Sequence, residues 1–364
     1  MNFYMPTKIV VGKDCVKNSC ELVKSYGKKA LIVTGKSSAK KCGALDDVTD
    51  MLSKINCEYE VFNKIEQNPT IQSCIEGGQL AKDISADFII GIGGGSPLDA
   101  SKAIAVFSKN TQMSEQDFYN LNWKYSPLPI IAVGTTAGTG SEVTQVAVIT
   151  NTSGMKKSIR HDLCFPVLAL GDAKYTTSLD DKFTRSTAAD ALAHCIESYF
   201  NETATDLSRI FATRGTKILV NEMQKICDGK ATDFKTRENL YKASLYGGLA
   251  ISVTGTNFPH AMSYFLSENH SVPHGAACAF YLPEFLDHNL NADKKLCDDF
   301  SEMIGISIAC LKDLIKEFSP KVNVVLTQEQ KDELKPRWQN NSCLKKCLGG
   351  ITPEYLENKI NKLF

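Results

Sequence analysis

Apolar runs and their breaks divide this chain into two unlike halves. Up to about residue 178, short runs of consecutive apolar residues alternate with stretches of helical spacing. Segments 8–12 (KIVVG), 29–34 (KALIVT), 58–62, 87–91 (DFIIG), 129–133, 144–150 and 167–171 read as strands. Several are apolar at nearly every position, as in strands buried on both faces. Between them, 38–56 and 70–85 carry helical spacing. Strands alternating with helices in this way predict a parallel sheet covered on both sides. Beyond about residue 178 the alternation stops, and segments 181–199, 206–228, 237–252, 311–318 and 353–364 show helical spacing instead. No helix is read over 258–292, and 323–347 is poorly patterned.

Two loops in the first half are dense in groups that bind phosphate. Gly91-Ile92-Gly93-Gly94-Gly95-Ser96-Pro97-Leu98-Asp99 follows a strand and opens a helix. Consecutive glycines let the backbone turn tightly and let a phosphate approach without meeting a Cβ. Ser96 is the expected N-cap, Pro97 the first helical residue and Asp99 a capping partner. The free N–H groups and the helix dipole would then face a diphosphate. The motif is neither G-x-G-x-x-G nor a Walker loop; a glycine turn without a ligand is the alternative to a diphosphate site. The second loop, Gly134-Thr135-Thr136-Ala137-Gly138-Thr139-Gly140-Ser141-Glu142, offers amides and hydroxyls after the next strand. Alone it could be an ordinary polar loop; together the two would lie at the carboxyl edge of one sheet, where such sheets bind ligands. Lys157 could face a cofactor phosphate or sit at a solvated hairpin tip.

The second half carries a different chemistry. Asp190 and His194 are four apart in a helical stretch and so share one face. His260 and His274 follow, and these three are half of the six histidines in the chain. One carboxylate and three imidazoles suit Fe²⁺ or Zn²⁺ better than Mg²⁺ or Ca²⁺. Four structurally employed side chains would give the same spacing.

Composition narrows the classes. A chain of 364 residues exceeds one ordinary core, so two domains are expected. Lys plus Arg equals Asp plus Glu at 41 each, which gives no support to nucleic-acid or anionic-membrane partners. The N-terminal residues show no secretory pattern and there is no apolar run of membrane-spanning length. Thirteen cysteines without a Cys-x-x-Cys pair fit reduced thiols in a cytoplasm.

Taken together these motifs resemble the iron-containing (group III) alcohol dehydrogenase family over nearly the whole chain. The resemblance implies an α/β N-terminal dinucleotide-binding domain with a parallel sheet, residues 1–178. It also implies an all-α C-terminal metal-binding domain, residues 179–364, in a dehydroquinate synthase-like architecture. By motif, Asp190, His194, His260 and His274 would be the metal ligands, for Fe²⁺ or Zn²⁺. Gly94, Gly95 and Ser96 would take the diphosphate, with Asp99 towards the nicotinamide. Thr135, Thr136, Thr139, Ser141 and Lys157 would border the cofactor, and Asn68 and Pro69 the adenosine. The partner of each metal histidine is not identified by the sequence. The resemblance further implies a homodimer acting on a small alcohol, diol or aldehyde.

Two departures from the family pattern matter. Tyr264 stands where many members have a further histidine, so a phenol rather than an imidazole would meet substrate or water. After the second strand come Gly35, Lys36, Ser37 and Ser38, where NAD-preferring relatives place an acid for the ribose hydroxyl. That leaves room for a 2′-phosphate and implies NADP(H) over NAD(H). Glycerol dehydrogenase-like and dehydroquinate synthase-like enzymes share the fold and are the rival readings, followed by a non-catalytic nucleotide or metal binder.

Overall fold

The computed structural model describes residues 3–339 and 341–364. It divides into two compact units, one ending at Leu179 and the other running from Asp180 to Phe364.

The first unit is built on a six-stranded sheet of β1 (Lys8–Val11), β2 (Lys29–Gly35), β3 (Glu58–Ile65), β4 (Phe88–Gly93), β5 (Ile130–Gly134) and β8 (Leu168–Gly171). Their spatial order is β1-β8-β5-β4-β2-β3, and every pair is parallel. The unbroken apolar runs follow from burial on both faces. Leu31, Val33 and Ile89 pack on one side with Ile104 and Phe107 of the helix Gly95–Lys109. Ala30, Ile32 and Ile90 pack on the other with Val48 and Leu52 of the helix Ala44–Lys54. Successive side chains of one strand thus enter two different cores. From β2 the chain goes outward to β3, then returns across β2 to β4 and on to β5 and β8. The direction of winding reverses between β2 and β4, and in such sheets the crevice outside the carboxyl ends at that reversal takes the ligand. The loops after β2, β4 and β5 all start at that edge.

A two-stranded antiparallel ribbon, β6 (Val146–Thr150) with β7 (Lys156–Arg160), stands apart from the main sheet. Lys157, for which the sequence left a cofactor-facing position or a hairpin tip open, lies inside β7 opposite Ile149 and so is not at the tip. The turn itself is closed earlier, by the Asn151 N–H donating to the Met155 carbonyl.

The second unit is helical, and among its described residues no strand occurs. Its long helices are Asp181–Tyr199, Asp206–Cys227, Phe234–Thr254, Phe258–Asn269 and His274–Ala292. Side-chain caps fix several starts: the Asp180 carboxylate accepts from the Phe183 N–H, and Thr205 and Ser208 form a reciprocal capping box. The two helices over 258–292 escape the sequence pattern because they are buried nearly all round, which leaves no polar face to set a period. Among the described residues no helix is long and apolar enough to cross a membrane.

Candidate active site

Three helices of the second unit bring the acidic and imidazole groups together. Asp190 and His194 lie in the middle of Asp181–Tyr199, His260 in the first turn of Phe258–Asn269, and His274 is the first residue of His274–Ala292. Asp190 Oδ1 stands 3.4 Å from His260 Nε2, 3.8 Å from His274 Nε2 and 3.9 Å from His194 Nε2. The His194 and His260 rings are stacked with centroids 4.5 Å apart. Asp190, His194 and His260 are all buried. Asp190 Oδ1 and His260 Nε2 make no hydrogen bond with any described residue, although they are enclosed.

Uncompensated buried polar atoms are costly, and a cation beside Asp190 Oδ1 and His260 Nε2 would compensate both. Electrostatics agrees. Burial by itself would raise the Asp190 pKa, yet the imidazoles of His194, His274 and His260 around it hold the carboxyl well below its usual range. Burial also opposes a charge on His260, but Cys278, Glu197 and Asp190 outweigh it and raise that imidazole well above its ordinary value. Positive charge is thus favoured at this spot, and nitrogen and carboxylate donors suit a first-row divalent metal.

Two residues here have no counterpart in the sequence reading. Glu197 Oε1 lies 2.5 Å from His260 Nδ1, with Glu197 fully buried. Its other oxygen accepts from the Asn257 N–H. Glu197 follows Asp190 by seven residues and His194 by three, so all three occupy one face of a single helix. That polar face within the run Ala188–Tyr199 was the available signal. The second residue is Cys278, one turn after His274. One donor atom from each of Asp190, His260, His274 and Cys278 lies within 4.8 Å of the others.

Tyr264 lies beside this group: its ring stacks on His274 with centroids 5.8 Å apart and planes within 6°. Burial pushes its phenol pKa well above the usual value. Phe258 packs against Tyr281, Phe285 and Tyr355 and is a core residue.

In the first unit the two glycine-bearing loops face each other. A Cβ on Gly94 would lie 2.9 Å from the Thr136 side chain, and one on Gly95 would lie 2.8 Å from that of Thr139. The helix begins at Gly95 with Gly94 as its N-cap, and no side chain caps it. Ser96 is therefore not the cap expected from sequence; its hydroxyl instead accepts from the Asn68 N–H at 3.3 Å. Nor does Asp99 cap. Its carboxylate accepts from Ser141 Oγ at 2.6 Å and from the Val148 N–H at 2.9 Å, donors supplied by the second loop and by β6. Buried Lys102 donates to Ser141 and Thr144 and locks that loop. Thr135 N–H donates to the Gly93 carbonyl, and Asn68 takes positive φ immediately before Pro69. Gly35 ends β2, and Ser37 precedes the short helix Ser38–Lys41. Lys36 makes an exposed pair with Glu66 at 2.7 Å. Lys157 is exposed, with its ammonium over the Tyr119 ring.

The chain matches the family "Iron-containing alcohol dehydrogenase" over residues 6–173, and the C-terminal part of the "Fe-containing alcohol dehydrogenase family" over residues 184–330. It is 32% identical over 320 residues to a 1,3-propanediol dehydrogenase of Klebsiella pneumoniae, covering 86% of this chain and 80% of that protein. An NADPH-dependent butanol dehydrogenase of Clostridium saccharobutylicum is 27% identical over 344 residues, 91% of this chain and 86% of the relative. A relative named for NAD, an NAD-dependent methanol dehydrogenase of Bacillus methanolicus, also matches, so membership does not decide between the two nicotinamide cofactors. The crystal structure of an iron-containing alcohol dehydrogenase from Thermotoga maritima superposes with a TM-score of 0.92 at 32% identity, covering 100% of this chain and 99% of that one. This chain belongs to the iron-containing alcohol dehydrogenase family and is an alcohol oxidoreductase of that family.

Proposed function

We propose that the chain interconverts a small primary alcohol, diol or aldehyde with NADP(H), using Asp190, His194, His260 and His274 to hold one Fe²⁺ or Zn²⁺. The observation that carries this reading is the convergence of a carboxylate and three imidazoles from three buried helices, with Asp190 Oδ1 and His260 Nε2 lacking any hydrogen bond. When bound, a divalent ion there supplies Lewis-acid polarisation of the substrate oxygen.

The chain's own groups do the rest. Glu197 accepts from His260 Nδ1–H and so fixes the tautomer that leaves Nε2 with a lone pair facing Asp190. Asp190 neutralises part of the cation's charge and, being held ionised, needs no proton release to do so. Tyr264 stays a protonated phenol through burial and can donate a hydrogen bond beside His274. Gly94, Gly95 and Ser96 present the start of a helix without a side-chain cap, which suits a diphosphate. Thr135, Thr136, Thr139, Ser141 and Asp99 form the loop wall on the other side, with Asn68 and Pro69 bordering the adenosine. Gly35, Lys36, Ser37 and Ser38 leave space and one cation for a 2′-phosphate; Lys36 reaches it by exchanging its exposed pair with Glu66, which costs little. Lys157 lies on the outer ribbon and would border the cofactor from there.

A panel of aldehydes with NADPH and NADH on Fe²⁺-loaded protein, followed by nicotinamide absorbance, tests the assignment. Stoichiometric cofactor consumption is expected. Turnover of a phosphorylated sugar acid without net cofactor change would instead favour a dehydroquinate synthase-like reaction. For the cofactor, Gly35→Asp is expected to lower the NADPH/NADH ratio of kcat/KM by placing a carboxylate at the ribose. An unchanged or higher ratio sinks the NADP(H) reading.

A further inference from the structure

We propose that the Cys278 thiolate is a direct ligand of the metal site, so that the chain offers one sulfur donor beside its carboxylate and imidazoles. The inference rests on the metal-site reading above and concerns which atoms complete it. Cys278 is fully buried and lies one turn after His274 on the helix His274–Ala292, so both side chains share a face. This repeats the one-turn spacing of Asp190 and His194 on the neighbouring helix. Its donor belongs to the group in which Asp190, His260, His274 and Cys278 all approach within 4.8 Å of one another.

A buried cysteine can be a simple core residue. Such a thiol usually faces apolar neighbours or a helix carbonyl. The Cys278 sulfur instead lies 3.8 Å from His274 Nε2, the same nitrogen that stands 3.8 Å from Asp190 Oδ1. The sulfur is therefore directed at the point where the other donors meet, beside two buried atoms without hydrogen bonds. As the sulfur–metal bond forms, the thiol proton leaves to solvent, because only the thiolate ligates. A soft donor at the site tilts its preference towards Zn²⁺ relative to a purely oxygen and nitrogen set.

The test uses the full chain, stripped of metal and titrated with Co²⁺ without oxygen, as wild type, Cys278→Ser and His274→Ala. Wild type is expected to show visible ligand-field bands and a near-ultraviolet thiolate-to-cobalt charge-transfer band. Cys278→Ser should keep the first, lose the second and release one proton fewer per metal. Its Zn²⁺ affinity should fall by about 10–100-fold, the loss typical when a group supporting a metal site is removed. X-ray absorption of Zn²⁺-loaded wild type gives a reading that needs no variant: a sulfur shell at about 2.3 Å is expected. Ligand-field bands in wild type with no charge-transfer band, or with one that survives in Cys278→Ser, would overturn the thiolate and leave the metal site standing. A nitrogen and oxygen shell alone would do the same. Absence of stoichiometric Co²⁺ binding by wild type would overturn both.

Discussion

Glu197 shows how a single side chain can orient a candidate ligand. The sequence reading named four candidate ligands but no partner for any histidine. Glu197, on the Asp190 face of its helix, orients His260 through Nδ1 and is itself held by the Asn257 amide. Glu197→Ala is expected to weaken metal affinity by about 10–100-fold, with Glu197→Gln recovering part of it through the amide oxygen. Equal affinity in all three proteins, measured by competition with a chelating dye, would remove Glu197 from this role. A second residue-scale case lies in the first unit. Asp47 accepts from buried Tyr175 and pairs with Lys174 and Lys17. Burial raises its pKa, but these partners outweigh it and hold the carboxyl below the ordinary 3.8. A depressed folded pKa means the stabilisation is fully present above the ordinary, unfolded value and is lost as pH falls through the folded pKa. Asp47→Asn should therefore cost about 1–3 kcal/mol at pH 7, with the penalty beginning to shrink as pH falls below about 4 and mostly gone only below the folded pKa, read as urea midpoints. A penalty independent of pH contradicts the charge argument.

At the scale of elements, the site depends on how closely two helices approach. A Cβ on Gly275 would lie 1.8 Å from the Ser186 carbonyl oxygen and 2.9 Å from Asp190 Cβ. Only glycine lets the helix that carries His274 meet the helix that carries Asp190 at this distance. Gly275→Ala is expected to destabilise the chain by about 1–3 kcal/mol, as overpacking does, and to weaken metal binding at the same time. Retained metal affinity with lowered stability would show that the two helices can separate without disturbing the ligands. The Asp190–His194 pair was legible in the sequence because helical periodicity alone sets it. His260 and His274 were visible as residue types, but their helices were not, since elements buried all round carry no polar stripe. The glycine turn was legible as a strand-to-helix turn, yet its capping was misread. Ser96 and Asp99 are drawn to Asn68, Ser141 and Val148, partners supplied by other segments.

For the whole molecule, the two proposed ligands belong to different compact units: nucleotide to the sheet edge of the first, metal to the helices of the second. Each ligand should stabilise the folded chain by mass action, by about 2.7 kcal/mol at a hundredfold excess over its Kd. His274→Ala is expected to abolish the metal-dependent rise in thermal midpoint and keep the one caused by NADPH. Loss of both would refute the assignment of the two ligands to separate units. The sequence by itself determined the parallel-sheet half, the helical half, the glycine-rich strand-to-helix turn and the residue types that make Asp190, His194, His260 and His274 candidates. These follow from short-range periodicity and from side-chain chemistry, which need no knowledge of the partner segment. Only the tertiary structure decided that Asp190, His194, His260 and His274 meet, that Glu197 and Cys278 join them, and that Asp99 and Lys102 brace the loop. Those contacts are fixed by helix packing and loop closure, where residues far apart in the chain compete for one another's donors, and local pattern carries no record of who wins.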